Sequence, residues 1–187
     1  METQTNRKER TLVILKPDAI QRNLVGRILF RFRDAGLSIV ARKVLYATDV
    51  HLKGHFPATE QWVTDIGARE RERVLRALGK EPTAYFGIES SYGTGMVIVN
   101  GCRDYYRSGP LMPIVFEGVD AVAVVRKLIG KTLPSQAERG TIRGDFGIPE
   151  DTGELAKGAA RNLVHASDSV EEARREIAVW FPPDELL

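Results

Sequence analysis

The sequence has one cysteine, only 7% aromatic residues and no long apolar run. Cys102 alone excludes an internal disulfide and a cysteine-rich zinc site, and suits a reducing compartment. No stretch approaches the roughly 18–20 apolar residues that a membrane-spanning helix needs. Met1–Arg10 is polar and charged and lacks the apolar core of a signal peptide, so the expectation is a flexible N-terminus over 1–10, on a cytoplasmic protein without membrane contact. Charge of one sign is also missing. With 27 Lys and Arg against 25 Asp and Glu, the net charge is only +2, which argues against a nucleic-acid-binding surface. There are no internal repeats, no Walker loop and no protein-kinase glycine loop, which removes the two common nucleotide machines.

The 187 residues, 43% of them hydrophobic, suffice for one domain over 11–187 carrying an insertion at about 57–100. Thr11–Leu15 is a short apolar run and predicts a buried strand, which Lys16-Pro17-Asp18 ends. Lys16 thereby sits at a strand terminus, where it is either a solvated lysine or a functional one. Val25, Ile28, Leu29 and Phe32 mark one face of a helix that Gly36 stops. Leu37–Tyr46 alternates as a second strand. Ala68–Leu78 predicts an exposed amphipathic helix whose interleaved Arg and Glu form a solvated face. Gly79–Gly95 reads as loop, with a short strand at Met96–Val99, and Tyr105–Pro110 as a turn. Leu111–Phe116 is a third strand, and Val119–Ile129 a buried helix ending at Gly130. Thr132–Arg161 is long, irregular and rich in Gly, Pro and charge, the character of a functional loop or a disordered one.

A fourth strand at Leu163-Val164 delivers His165. Ser169 and Glu172 match a capping box for the helix that Val170, Ala173 and Ile177 continue. Glu176 lies two turns into that helix, within reach of the imidazole. A carboxylate that holds one ring nitrogen decides which nitrogen is nucleophilic. On this evidence alone His165 is either structural or reactive. Lys16, Arg126, Thr132, Arg143, Asn162, His165, Ser167 and Glu176 together supply cations, hydroxyl and amide groups, one imidazole and one carboxylate. Such a set suits a polyphosphate, since phosphoryl transfer asks mainly for positioning and charge neutralisation.

The residues that carry this chemistry also carry a resemblance. Arg10-Thr11-Leu12 through Lys16-Pro17-Asp18, Gln21-Arg22, Leu24-Val25-Gly26, Ser108-Gly109-Pro110, Phe116-Glu117-Gly118, Gly140–Phe146, Asn162–Ser169, Glu176-Ile177 and Trp180-Phe181 resemble the nucleoside diphosphate kinase family. The resemblance implies an α+β fold, a ferredoxin-like four-stranded antiparallel sheet with helices on one face. It implies transfer of the terminal phosphate of a nucleoside triphosphate, usually ATP, to a nucleoside diphosphate. The route is ping-pong, through a phosphohistidine on His165. It places Lys16 on the transferring phosphate, and Arg126, Thr132 and Arg143 on the nucleotide phosphates. Asn162 falls on the ribose, and Ser167 and Glu176 fall around the histidine. Mg²⁺ is expected to arrive with the nucleotide, without a protein metal site. A homo-oligomer, a tetramer or hexamer of dimers, is implied as well.

Two departures stand out. Phe56 occupies the place of an active-site tyrosine, so one hydroxyl is missing from the phosphate region; a lower rate is expected, since a hydrogen bond to a charged group is worth about 1.5–3 kcal/mol. The 57–100 segment is longer than usual where the family supplies a base-stacking ring. Trp62, Tyr85 and Phe86 are candidates for it, and each equally fits core or loop packing.

Overall fold

The computed structural model describes residues 8–149, 158 and 160–186. Part of the expected flexible N-terminus and part of the 132–161 loop lie outside these. Contacts divide the described residues into two units: one of 8–47, 109–149 and 161–186, the other of 48–108 with 158 and 160.

The first unit is built on β1 (Lys8–Leu15), β2 (Ser38–Arg42), β3 (Met112–Val119) and β4 (Val164–Ala166). They form one antiparallel sheet in the order β2-β3-β1-β4. The strand–helix–strand, strand–helix–strand succession in this order is the ferredoxin-like arrangement, an α+β fold. β1 begins at Lys8, three residues ahead of Thr11, because Lys8–Arg10 pair with Glu117–Val119. Leu12, Val13, Ile14 and Leu15 are all buried, so this strand is covered on both faces, as its unbroken apolar run requires.

Successive side chains of a strand point to opposite faces. Val13, Leu15, Ile114, Phe116, Val164 and Ala166 share one core with Ile28 and Phe32 of α2 (Val25–Asp34). Val125 and Ile129 of α7 (Ala121–Ile129) complete that core. His165 alternates with Val164 and Ala166 and therefore faces the other side, as Ile14, its partner across the sheet, does. There α9 (Val170–Trp180) lies against β1 and buries Ala173, Ile177 and Trp180. Helices thus flank both faces of the sheet, whereas the resemblance implied one. Between β1 and α2 runs the short α1 (Pro17–Gln21), with Pro17 in its first turn. α8 (Ile142–Phe146) follows α7.

The second unit is helical: α3 (Asp49–His55), α4 (Glu60–Leu78), α5 (Pro82–Phe86) and α6 (Ser91–Arg107). α4 begins eight residues before the expected Ala68, at a Thr59 cap whose hydroxyl accepts from the Trp62 N–H. α5 and the first turn of α6 lie within the expected 79–95 loop, and α6 then replaces the strand at Met96–Val99 and takes in Tyr105–Arg107 of the expected turn. The cause is packing between glycines: a Cβ on Gly67 would lie 1.8 Å from the Ser91 carbonyl oxygen, and one on Gly95 2.0 Å from that of Val63. The glycines that look like turn formers are the places where α4 and α6 meet backbone to backbone. Arg71 fastens this pair, donating to the Ile88 carbonyl and to the Thr83 and Thr94 hydroxyls. No helix among the described residues is long and apolar enough to cross a membrane.

Candidate active site

The site is assembled at one end of the sheet, where β1 runs out into Lys16 and β4 begins. Ser169 caps α9 by accepting from the Glu172 N–H at 3.1 Å. The reciprocal half of the expected capping box is not what Glu172 provides; its carboxylate pairs with Arg175, whose guanidinium is thereby held more basic than usual. With its start fixed, α9 places Glu176 under the imidazole. His165 Nε2 lies 2.9 and 3.0 Å from the two oxygens of Glu176. The Ser167 hydroxyl donates to Glu176 Oε2 at 2.6 Å. Glu176 is 3% exposed. A carboxylate accepts, so the imidazole proton sits on Nε2 and the lone pair sits on Nδ1.

Asn162 ties together three parts of the chain. Its Oδ1 accepts from Lys16 Nζ at 2.7 Å, and its Nδ2 donates to the Thr132 carbonyl at 2.8 Å. The backbone next to it is strained. The Val164 N–H donates to the Asn162 carbonyl at 2.8 Å, two residues back, and Leu163 between them has φ +71°. That is a γ-turn on a branched residue, an arrangement that costs about 1–3 kcal/mol and persists only when its surroundings impose it. The surroundings are explicit. Arg143 is 6% exposed and donates to the carbonyls of Gly130, Asn162 and Val164. The Lys16 N–H donates to the Leu163 carbonyl, and the Leu163 N–H donates to Asp18 Oδ2.

The Gly140–Phe146 segment is anchored to α2. Arg31 donates to the Gly140 carbonyl and pairs with Asp145, and the Arg27 guanidinium lies 4.3 Å over the Phe146 ring. The Gly140 N–H and the Arg31 guanidinium hold the Asp145 carboxyl below the usual carboxylate range. Arg126 is exposed on α7 and pairs with Asp168 at 2.7 Å, and Thr132 is exposed just beyond that helix.

All the residues anticipated around the histidine therefore lie in the first unit. Lys16 and Asn162 are joined directly, as are His165, Glu176 and Ser167. Phe56 belongs to the second unit, where it follows α3 with its ring edge-on to His55 and Tyr106. Trp62, Tyr85 and Phe86 are also in the second unit, the last two packed on each other. Asp18 and the turn at Leu163 were not singled out from the sequence. The available signal was an acidic residue directly after Lys-Pro at a strand end.

A ferredoxin-like sheet that presents a carboxylate-held histidine among lysine and arginine side chains is the frame of a phosphoryl-transfer enzyme. The sequence profile of the nucleoside diphosphate kinase family matches residues 9–62 and 94–186. A nucleoside diphosphate kinase of Pyrobaculum aerophilum is 44% identical over 185 residues, covering 96% of this chain and 98% of its own. The crystal structure of an NDP kinase from that organism superposes with a TM-score of 0.87 at 41% identity, covering 97% of this chain and all of the other. A Borrelia burgdorferi nucleoside-diphosphate kinase, solved as a transition-state mimic with bound vanadate and ADP, gives 0.72 at 30% identity, over 96% and 90% of the two chains. The chain belongs to the nucleoside diphosphate kinase family, and it is an enzyme that moves a phosphoryl group from a nucleoside triphosphate to a nucleoside diphosphate. The part the profile passes over, 63–93, falls within the helical second unit.

Proposed function

We propose that His165 is the residue that carries the phosphoryl group, with ATP as the usual donor. The observation that supports this most is the buried Glu176 carboxylate, held by Ser167 and gripping His165 Nε2. In the first half-reaction the Nδ1 lone pair attacks the terminal phosphorus of the triphosphate. The bond to the bridging oxygen breaks, and the nucleoside diphosphate leaves with that electron pair. The proton stays on Nε2, hydrogen-bonded to the Glu176 carboxylate, which stabilises the positive charge that the ring develops. In the second half-reaction a terminal phosphate oxygen of another diphosphate attacks the phosphohistidine and Nδ1 recovers its lone pair. Ser167 fixes the glutamate and Asn162 fixes the Lys16 ammonium.

Lys16 contributes charge at the transferring phosphate, and Arg126 and Thr132 are exposed to receive the other phosphates. Asn162 meets the ribose. Arg143 joins Arg126 and Thr132 on the nucleotide phosphates, and its three hydrogen bonds to carbonyls also fix the backbone around the histidine. The carboxylates at the site each take a protein donor on at least one oxygen: Glu176 from His165 and Ser167, Asp18 Oδ2 from Leu163, and Asp168 from Arg126. This donor set fits a Mg²⁺ ion held by the nucleotide's own phosphates, where it would offset their charge. The substrates are nucleoside di- and triphosphates, ADP being bound in the Borrelia relative. Assembly into a homo-oligomer of dimers is supported by β2, which ends the sheet among the described residues, and by the exposed Phe30 on neighbouring α2.

Incubation with ATP labelled at its terminal phosphate tests the reading. The protein should acquire an acid-labile, alkali-stable label, and His165→Ala should acquire none. Retention of the label in that variant overturns the assignment.

A further inference from the structure

We propose that Asp18 is a positioning residue for phosphoryl transfer, acting through the strained turn at Leu163; this rests on the phosphohistidine reading above. Asp18 is 8% exposed, in the first turn of α1. Its Oδ2 accepts from the Leu163 N–H at 3.1 Å, across 145 positions of sequence. Its Oδ1 is buried with no hydrogen-bond partner. A carboxylate half-satisfied inside a protein is an expensive way to hold a chain, and such groups persist where a special backbone geometry has to be maintained.

The geometry maintained here is specific. The carbonyls of Asn162 and Val164 are both used by Arg143, and the Leu163 carbonyl is used by the Lys16 N–H. Asp18 supplies the remaining grip, on the N–H of Leu163 itself. With all of these made, a leucine stays in the left-handed region at φ +71°. Asn162 on one side then meets Lys16, and His165, two residues beyond on the other side, meets Glu176. Without Asp18 the Leu163 N–H loses its acceptor in a fully buried place, and the turn has one fewer reason to stay left-handed. Relaxation there rotates the peptide that leads into β4. The imidazole then leaves the line along which Nδ1 must approach phosphorus, while the exposed Arg126 and Thr132 are untouched. The expected signature is a loss of chemical rate with nucleotide affinity retained.

Single-turnover phosphorylation of the whole enzyme by labelled ATP, with Asp18→Ala and Asp18→Asn, is the experiment. Asp18→Ala should phosphorylate at least about tenfold more slowly, with the ATP concentration for half-maximal rate within about threefold of wild type. Asp18→Asn retains a carbonyl oxygen for the Leu163 N–H and should recover most of the rate. If Asp18→Ala does not fold, Asp18→Leu, which keeps side-chain bulk without an acceptor, takes its place. Nitrogen-15 NMR of the His165 ring gives the second readout, because displacement from Glu176 mixes the two neutral tautomers in the slow variant. A folded variant lacking the acceptor that phosphorylates within twofold of wild type with an unmixed tautomer overturns the proposal, as does an Asp18→Asn enzyme as slow as Asp18→Ala. Wild type that acquires no label on His165 defeats the phosphohistidine reading instead, so the two failures are distinct.

Discussion

Replacing Glu176 with glutamine removes one charge and almost no volume, and the structure sets the size of the effect. The carboxylate has two acceptor oxygens and uses both: one for His165 Nε2, the other shared between that nitrogen and the Ser167 hydroxyl. Glutamine keeps only one acceptor. Turned with its oxygen toward His165, it faces Ser167 with its amide, and the serine hydroxyl can reverse and accept. The network therefore survives in outline, and what is lost is the charge. A hydrogen bond to a charged group is worth about 1.5–3 kcal/mol against about 0.5–1.5 for a neutral one. The difference of about 1–2 kcal/mol is felt mainly in the transition state, where the ring becomes cationic, and corresponds to about 5- to 30-fold in rate. The assay is quenched-flow phosphorylation of the enzyme by labelled ATP over a range of ATP concentrations. The maximal rate should fall by that factor while the concentration dependence stays put, since Glu176 lies beneath the histidine. An unchanged rate in a folded Glu176→Gln enzyme would refute the role given to the carboxylate, and a change confined to the concentration dependence would refute it equally.

Ser167→Ala removes a donor to Glu176 but leaves the charge, so about a 2- to 10-fold loss in maximal rate is expected from the same assay. Phe56→Tyr should leave turnover equal or higher; a large loss in steady-state activity would show that the site has been rebuilt around the phenyl ring. Gly67→Ala drives a Cβ into the Ser91 carbonyl and should destabilise the protein by about 1–3 kcal/mol, seen as a lower melting temperature. The Asp145 carboxyl is held below its ordinary range by the Gly140 N–H and Arg31, so the stability it confers is present above the unfolded-state value near 3.8 and lost as pH falls through the lower folded value. The melting-temperature gap between wild type and Asp145→Asn should therefore be constant near neutrality and close in strong acid.

What could be read in advance was local. β1 announced itself as an apolar run ended by proline, α2 as a stripe of Val25, Ile28, Leu29 and Phe32, and α9 as a serine-capped helix that brings Glu176 to the imidazole. Each depends on residues close together in sequence, where spacing and capping chemistry act directly. The second unit departs from the sequence expectation because glycine has two uses. In Ser91–Arg107 it looks like a breaker, yet at Gly95 it is the only residue small enough for α6 to touch α4 at Val63. No local pattern separates these uses, since the deciding atom belongs to another helix.

The same distinction runs through the site. The motif around His165 points to the proposed nucleophile but not to the strain beside it. That strain is a property of Leu163, imposed by Asp18 and Lys16 from the far end of the chain and by Arg143 from α8. A leucine gives no sign of a positive φ; a glycine there would have done so, and would have adopted the turn without needing to be held. A held turn has a consequence that a relaxed one lacks. In the phosphohistidine reading two half-reactions share one nucleophile, so the imidazole must present Nδ1 along the same line when it accepts a phosphoryl group and when it gives one up. A side chain on a flexible segment would have to find that line twice in each cycle. Fixing all the backbone polar groups from the Asn162 carbonyl to the Val164 carbonyl moves that search from catalysis to folding, where it is made once.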